Sequence, residues 1–446
     1  MRNIKPTLPF ELVGLENEDL VEDLVHFYRV YSSAASSFGL PFSVAAWATI
    51  SGHNISLHSS DSCVKVEEAV SLSILLDQTH RKKLATFVGE RVGALANAGS
   101  PGEINNHWKT MYSYAQLHYH RGEFKRATEI GSQALLSALN SGNARAIVEC
   151  ASFAGRLHWL VGNYEECLTA GRYILDNGFS DDNEYKFPWL SAPLLPLILA
   201  SMEFDRMSNV TMRVSRLLQR QIDQSINPCT VLCNLILVFN MEVVAGDVFQ
   251  ASLRTHKFYK DTASLKGLAS QYVTHTLLLA QSTHHFIIMS LEKDPKLLEP
   301  KLFDSLIGTF KNLHRKMLTD TVSAGCRIAL LVTKLMVYLL GAVSDNLKVS
   351  ATGASTKLLQ EVTCINVVQI ADKILAWPNI EHTRTLKLWA LELKGRHHPD
   401  RGQRQALLRE ALATAVETGS KNKENHINNY FGDIIKTSQM TEASAN

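Results

Sequence analysis

Apolar residues recur every three or four positions along almost the whole chain, and no convincing run alternates apolar with polar. An α-helix with one buried face needs that 3.6-residue period; a half-buried strand needs a period of two. Leu20, Leu24, Phe27 and Tyr31 form one such stripe, and Val66, Val70, Ile74 and Leu75 form another. Good helix formers fill the windows between Gly, Asn and Pro punctuation. Only 12 prolines and 24 glycines occur in 446 residues, too few for the turns of a β-sandwich or barrel. Hydrophobic residues make up 46% of the chain, which excludes global disorder and supplies large cores.

The joints between helices constrain the fold further. His120-Arg121-Gly122-Glu123-Phe124 separates two helical stripes, and Leu160-Val161-Gly162-Asn163-Tyr164 does the same one repeat later. Each aromatic is followed three positions on by a small residue, Ala127 and Cys167. Gly131, Ala134 and Leu135 continue the first copy, and Gly171, Ile174 and Leu175 the second. The glycine ends the first helix at φ > 0, the aromatic caps the hairpin core, and the small residues let two helices approach. Two weaker copies follow: Met202-Glu203-Phe204 keeps the aromatic without the glycine, and Ala245-Gly246-Asp247-Val248-Phe249 has Ala251 as its small residue. The expected fold is therefore all-α: a tetratricopeptide-like α-solenoid of antiparallel helix pairs with no β-sheet domain. Its joint residues are Gly122, Phe124, Ala127, Gly162, Tyr164, Cys167, Phe204 and Gly246.

The chain divides on this reading into an N-terminal helical segment (1–98), helical repeats (99–342), a flexible linker (343–357), C-terminal helical repeats (358–436) and a frayed tail (437–446). The linker VSDNLKVSATGASTK is rich in Ser, Thr and Gly and poor in apolar residues. Pro188, Pro193 and Pro196 interrupt an apolar run, which predicts a bend near residue 190.

Charge and cysteine usage narrow the class. The 45 basic and 43 acidic side chains give a net charge of +2, without the basic excess of a nucleic-acid module. Met1–Phe10 has no apolar core of a secretory signal, and the seven cysteines are scattered, so a reducing, cytoplasmic setting is expected. Cys229 and Cys233 stand at i, i+4, where core packing is favoured over a metal because no second pair is near. Residues 31–60, 224–241 and 267–291 lack Asp, Glu, Lys and Arg, but breaks, polar residues or short apolar length mark them as buried helices and not membrane spans.

No sequence signature of chemistry is present. The chain has no Gly-Lys-[Ser/Thr], no G-x-G-x-x-G, no H-E-x-x-H and no G-x-S-x-G. His118 and His120 flank Tyr119, and His284-His285 and His397-His398 are adjacent pairs; helix neighbours point about 100° apart and share one metal poorly. The run Lys394 to Arg401 is locally basic and reads as a solvated turn, with an acidic partner as the alternative. No catalytic, cofactor-binding or metal-ligating residue is assigned, and no enzyme activity is expected of the chain itself. The interaction surface expected of a solenoid is its concave face, with a protein as partner.

The run Arg121 to Leu135, continued through Gly162 and Tyr164, resembles the C-terminal helical-repeat region of the soluble, bicarbonate-responsive adenylyl cyclases. The stretch from Ala411-Leu412 to Gly419-Ser420, with Lys423-Glu424-Asn425, is similar to the close of that region. The resemblance implies a parent that converts ATP to cAMP with a divalent metal and answers bicarbonate and calcium. The motifs of its catalytic and ATPase-like parts are absent here. By resemblance the chain would be a regulatory or scaffolding piece in cAMP signalling, a fragment or short isoform, its partners including other domains of the parent. The other reading is a free-standing repeat adaptor for protein–protein interaction.

Overall fold

A computed structural model describes residues 18–37, 42–79, 81–97, 107–179, 194–204, 228–247 and 364–429, with isolated positions between and after them. The regular structure described is helical, and no β-strand occurs among the described residues. The elements are α1 (Glu18–Ser37), α2 (Phe42–Ser56), α3 (Ser62–Gln78), α4 (Lys82–Asn97), α5 (His107–His120), α6 (Phe124–Ser141), α7 (Ala144–Val161) and α8 (Tyr164–Gly178). Then come α9 (Leu195–Phe204), α10 (Pro228–Val244), α11 (Cys364–Leu375), a 3₁₀ turn (Ile380–His382), α12 (Arg384–His397) and α13 (Arg401–Thr418). Residues 421–429 form a last helix, α14.

Short turns make α1/α2, α3/α4, α5/α6 and α7/α8 successive antiparallel pairs, each packed on the next. The chain is thus an all-α stack of helix pairs. Its joints share one backbone device. Gly122, Gly162, Gly246 and Gly419 take φ of 77°, 85°, 75° and 74°. The next residue's N–H then reaches back to the carbonyl five positions earlier: Glu123 to His118 (2.9 Å), Asn163 to His158 (2.8 Å), Asp247 to Glu242 (3.0 Å) and Ser420 to Ala415 (2.9 Å). This bond closes a Schellman motif, and only a left-handed residue permits it. The opposite edge uses another device: after Gly142, Asn143 caps α7 by accepting from the N–H of Ala146 at 3.1 Å.

Small side chains set the pair spacing. Ala115, Ala127, Ala134, Ala138, Ala146 and Ala154 are all fully buried. Aromatic rings plug the wedge that remains: Tyr119 lies edge-on to Phe124 (5.6 Å) and Phe153 (5.8 Å). Gly155 and Gly171 admit α9, since a Cβ on Gly155 would come within 2.5 Å of Pro196 Cβ and one on Gly171 within 2.9 Å of Leu197 Cα.

Three expectations need restating. First, the helix expected over 188–203 begins in the described residues at Leu195, with Pro196 in its first turn, where the missing N–H costs no hydrogen bond. Pro188 and Pro193, and with them the expected bend, lie outside the described residues, as do the linker at 343–357 and the tail at 437–446. Second, Phe204 does not head a helix after a joint. It stands in the last turn of α9 and meets Tyr164 edge-on at 6.4 Å. Third, the C-terminal helices do not simply extend the stack in chain order. Leu388, Leu391, Leu408, Ala411, Ala415 and Ile427 give α12–α14 a core of their own, and α12 packs against α7. No described helix is long and apolar enough to cross a membrane.

Candidate functional site

Alternating turns put the joints at 122 and 162 on one edge of the stack, and the C-terminal block covers that edge. Gly162 lies directly under it. A Cβ there would sit 2.8 Å from Thr418 Cγ2 and 3.0 Å from Arg384 Cβ, so glycine is required by space as well as by φ. The Tyr164 hydroxyl hydrogen-bonds Thr385 Oγ1 at 2.9 Å, and Thr385 in turn donates to the Trp159 carbonyl. Trp159 meets Trp389 edge-on at 5.6 Å. At the first joint the contact is lighter: Asn379 Nδ2 donates to the Gly122 carbonyl at 3.0 Å.

Beneath the second joint lies a buried polar clasp. Glu203, at the end of α9, accepts from Trp159 Nε1 (3.4 Å) and from the Ser420 hydroxyl. Glu392 on α12 pairs with Lys423 at 2.7 Å and with His426 at 3.2 Å. Burial pushes the Glu203 carboxyl up, against the pull of Ser420 and Lys423. Burial also acts to raise Glu392, but Lys423 and His426 outweigh it and hold that carboxyl well below the usual range. Buried charges persist where they are paired and hydrogen-bonded. These groups hold α9, α12 and α14 together.

An open cleft runs beside the clasp, along the seam between α6 and the C-terminal block. One lobe, of about 350 Å³, is lined by Lys125, Thr128, Glu129, Ser132, His158, Val161, Asn163, Glu381, His382 and Arg384. A second lobe, of about 370 Å³, adds Glu123, Phe124, Arg126 and Asn379 and shares Lys125, Glu129 and His382. His158 is held by Ser132 Oγ at 2.9 Å, and burial lowers its pKa. The lining alternates cations and anions, with Phe124 and Val161 as its apolar members.

The joint residues divide as follows. Gly122, Phe124, Ala127, Gly162, Tyr164 and Cys167 are buried at the two good joints, and Phe124 and Asn163 also edge the cleft. Cys167 Sγ donates to the Pro196 carbonyl at 3.1 Å, and burial pushes its thiol up, which makes it a packing group and a poor nucleophile. At the third Schellman turn, Ala251 is buried but Phe249 is 58% exposed, so that ring fills no core.

The histidines are held one by one. His118 Nδ1 is hydrogen-bonded to the Glu123 carboxylate at 2.5 Å, and burial brings His120 down to about 4. Burial, with Arg396 and Arg404, brings His397 to about 4. The basic run at 394–401 is a turn only at 398–400: Lys394 to His397 close α12, with Lys394 paired to Asp372 at 2.7 Å, and Asp400 caps α13 by accepting from the N–H of Gln403. His284 and His285, Cys326, and the side chains of Cys229, Cys233 and Cys364 lie outside the described set. Among the described residues no group of three His, Cys, Asp or Glu is placed to hold a metal ion.

The clasp itself has no counterpart in the sequence-derived site residues. Its signal was a lone carboxylate: Glu203 in the otherwise apolar LPLILASMEF, and Glu392 among the apolar positions of RTLKLWALELKGRH, whose other charges are all basic. A charge in such a setting needs a partner, but nothing local says where the partner lies.

No family model matches the chain, and no curated protein does. Among solved structures, one described as a "Circular tandem repeat protein with novel repeat topology and enhanced subunit contact surfaces" aligns over 96% of this chain and 99% of that one, at 12% identity and a TM-score of 0.21. A likeness at that score bears on neither fold nor function.

Proposed function

We propose that the chain is a non-catalytic helical-repeat scaffold that holds an extended, polar segment of a protein partner in the seam cleft. The observation behind this reading is the lining of the cleft, where Lys125 and Arg384 alternate with Glu129 and Glu381 around a shallow, two-lobed channel. Small-molecule sites are concave and mostly apolar with a few placed polar groups. A channel with charges of both signs suits the backbone and side chains of a peptide better. The buried carboxylates nearby are engaged in holding the C-terminal block, which leaves them unsuited to acid–base work. The seam cleft takes the place of the concave face as the surface we assign to the partner.

The finer reading comes from the sequence resemblance alone. On it, the chain is the regulatory region of a soluble adenylyl cyclase in cAMP signalling, and the cleft receives another domain of that parent. The free-standing adaptor reading uses the same cleft for a separate protein. Genomic sequence upstream of Met1 separates the two, since only the first requires cyclase domains in frame.

A photo-crosslinking side chain placed at Asn163, which is exposed and lines the cleft, tests the site. In cells it should yield one discrete adduct that disappears when Lys125→Glu and Glu129→Lys are combined in the same chain. An adduct of equal yield in that double variant contradicts the cleft. Production of cAMP from ATP and manganese by the purified chain contradicts the non-catalytic reading.

A further inference from the structure

The α1/α2 pair carries a run of exposed large apolar side chains, and contiguous exposed apolar surface marks an interaction site. Here α1 leaves Phe27 56% exposed and Val30 52%, and α2 leaves Trp47 43% exposed. The rings are continuous: Phe27 stacks on Tyr31 at 6.0 Å, and Tyr31 meets Trp47 edge-on at 6.3 Å. Rigid aromatics clustered in this way are the side chains that dominate binding energy at interfaces.

Among the described residues, the charge on the first turns of α1 has one sign. Glu18, Asp19, Glu22 and Asp23 are exposed on the first turns of α1, and α2 contains no Asp, Glu, Lys or Arg. Arg29 is the one Lys or Arg of the pair, and it is tied to Glu67 (2.5 Å) and Glu68 (2.9 Å) on α3. An occupant should therefore be apolar with a basic flank.

The same chain offers such a face. On α4, Leu84 is 52% exposed and Phe87 57%, one turn apart, and exposed Arg81, Lys82 and Lys83 lead into them. α1 and α4 belong to different pairs separated by α2 and α3, so the two faces are different patches of the surface. We propose that the aromatic face of α1/α2 docks onto the basic apolar face of α4 in a second copy of the chain. Opposite charges steer the approach, and the aromatic and leucine side chains supply the buried area. The inference does not depend on the seam cleft, and its failure leaves that reading intact.

Sedimentation of the full chain across a concentration series tests it. Self-association is expected and should weaken at high salt. Phe27→Ser and Phe87→Ser should each weaken it at least about tenfold. Both sites are exposed, and circular dichroism should show unchanged helicity and melting. Glu22→Lys with Asp23→Lys, and Lys82→Glu with Lys83→Glu, should each abolish self-association, whereas a mixture of the two variants should associate, because both face pairs between unlike variants are again opposite in charge. A chain that stays monomeric, or association untouched by Phe27→Ser, overturns the proposal. So does binding to phosphatidylcholine–phosphatidylserine vesicles that Phe27→Ser abolishes, because the face would then serve a membrane.

Discussion

The two good joints share a backbone and differ in what covers them. Gly122 and Gly162 take nearly the same left-handed φ and close the same Schellman bond. Gly162 is sealed under Arg384, Thr418 and the Trp389 side of α12, whereas Gly122 receives a single hydrogen bond from Asn379 and the two residues after it, Glu123 and Phe124, line the open cleft. A repeat therefore fixes local geometry without fixing environment. The second joint has become the anchor of the C-terminal block, and the first has been left beside a channel.

The largest expected effect comes from breaking the seal. Glu392→Ala leaves Lys423 buried without its main counter-charge and should cost about 3–5 kcal/mol. Replacing both Glu392 and Lys423 by methionine should recover most of that loss in a denaturant titration. Next comes Gly162→Ala, which adds left-handed strain and a clash with Thr418 and Arg384, roughly 3 kcal/mol together. Gly142→Ala is its control: φ is 66° but nothing lies within 4 Å, so strain alone should cost about 1 kcal/mol. If the two alanine variants melt alike, the second joint is not covered.

Acid should separate the regions more gently. His120, near the first joint, and His397, in the C-terminal block, are both brought down to about 4 by burial. A histidine with a lowered folded pKa stays neutral in the fold, so the protein loses stability as pH falls from about 6.5 toward 4. Glu203 acts in the other direction: its raised folded pKa adds stability as pH falls toward the ordinary carboxylate value. Melting temperature should drop across that window. His120→Asn and His397→Asn should each flatten the drop, while Glu203→Gln should raise the neutral-pH melting temperature slightly and leave the histidine slope in place.

Helices and joints were readable because their causes are local. A glycine, an aromatic two residues on and a small residue three beyond that define each good joint, and the expected helices 124–140 and 144–161 match α6 and α7 to within a residue. Phe204 misled because an aromatic without the glycine lacks a residue able to turn the chain, and it stands inside the last turn of α9. The docking of the C-terminal block had no local signature. Tyr164 and Thr385 lie 221 positions apart, and Glu203 and Ser420 lie 217 apart. The pattern at either end shows an amphipathic helix and does not name its partner. The lone buried carboxylates at 203 and 392 were the one trace of that contact in the sequence.

The central claim is that the C-terminal block seals the second joint, and a double-mutant cycle between Tyr164→Phe and Thr385→Val tests it most directly. Each change removes one hydroxyl of a buried pair 2.9 Å apart and leaves the apolar shape nearly intact. A coupling energy of about 1 kcal/mol is predicted from equilibrium unfolding of the two single variants and the double variant. Strict additivity, to within about 0.3 kcal/mol, would mean that the two hydroxyls do not meet and would contradict the account.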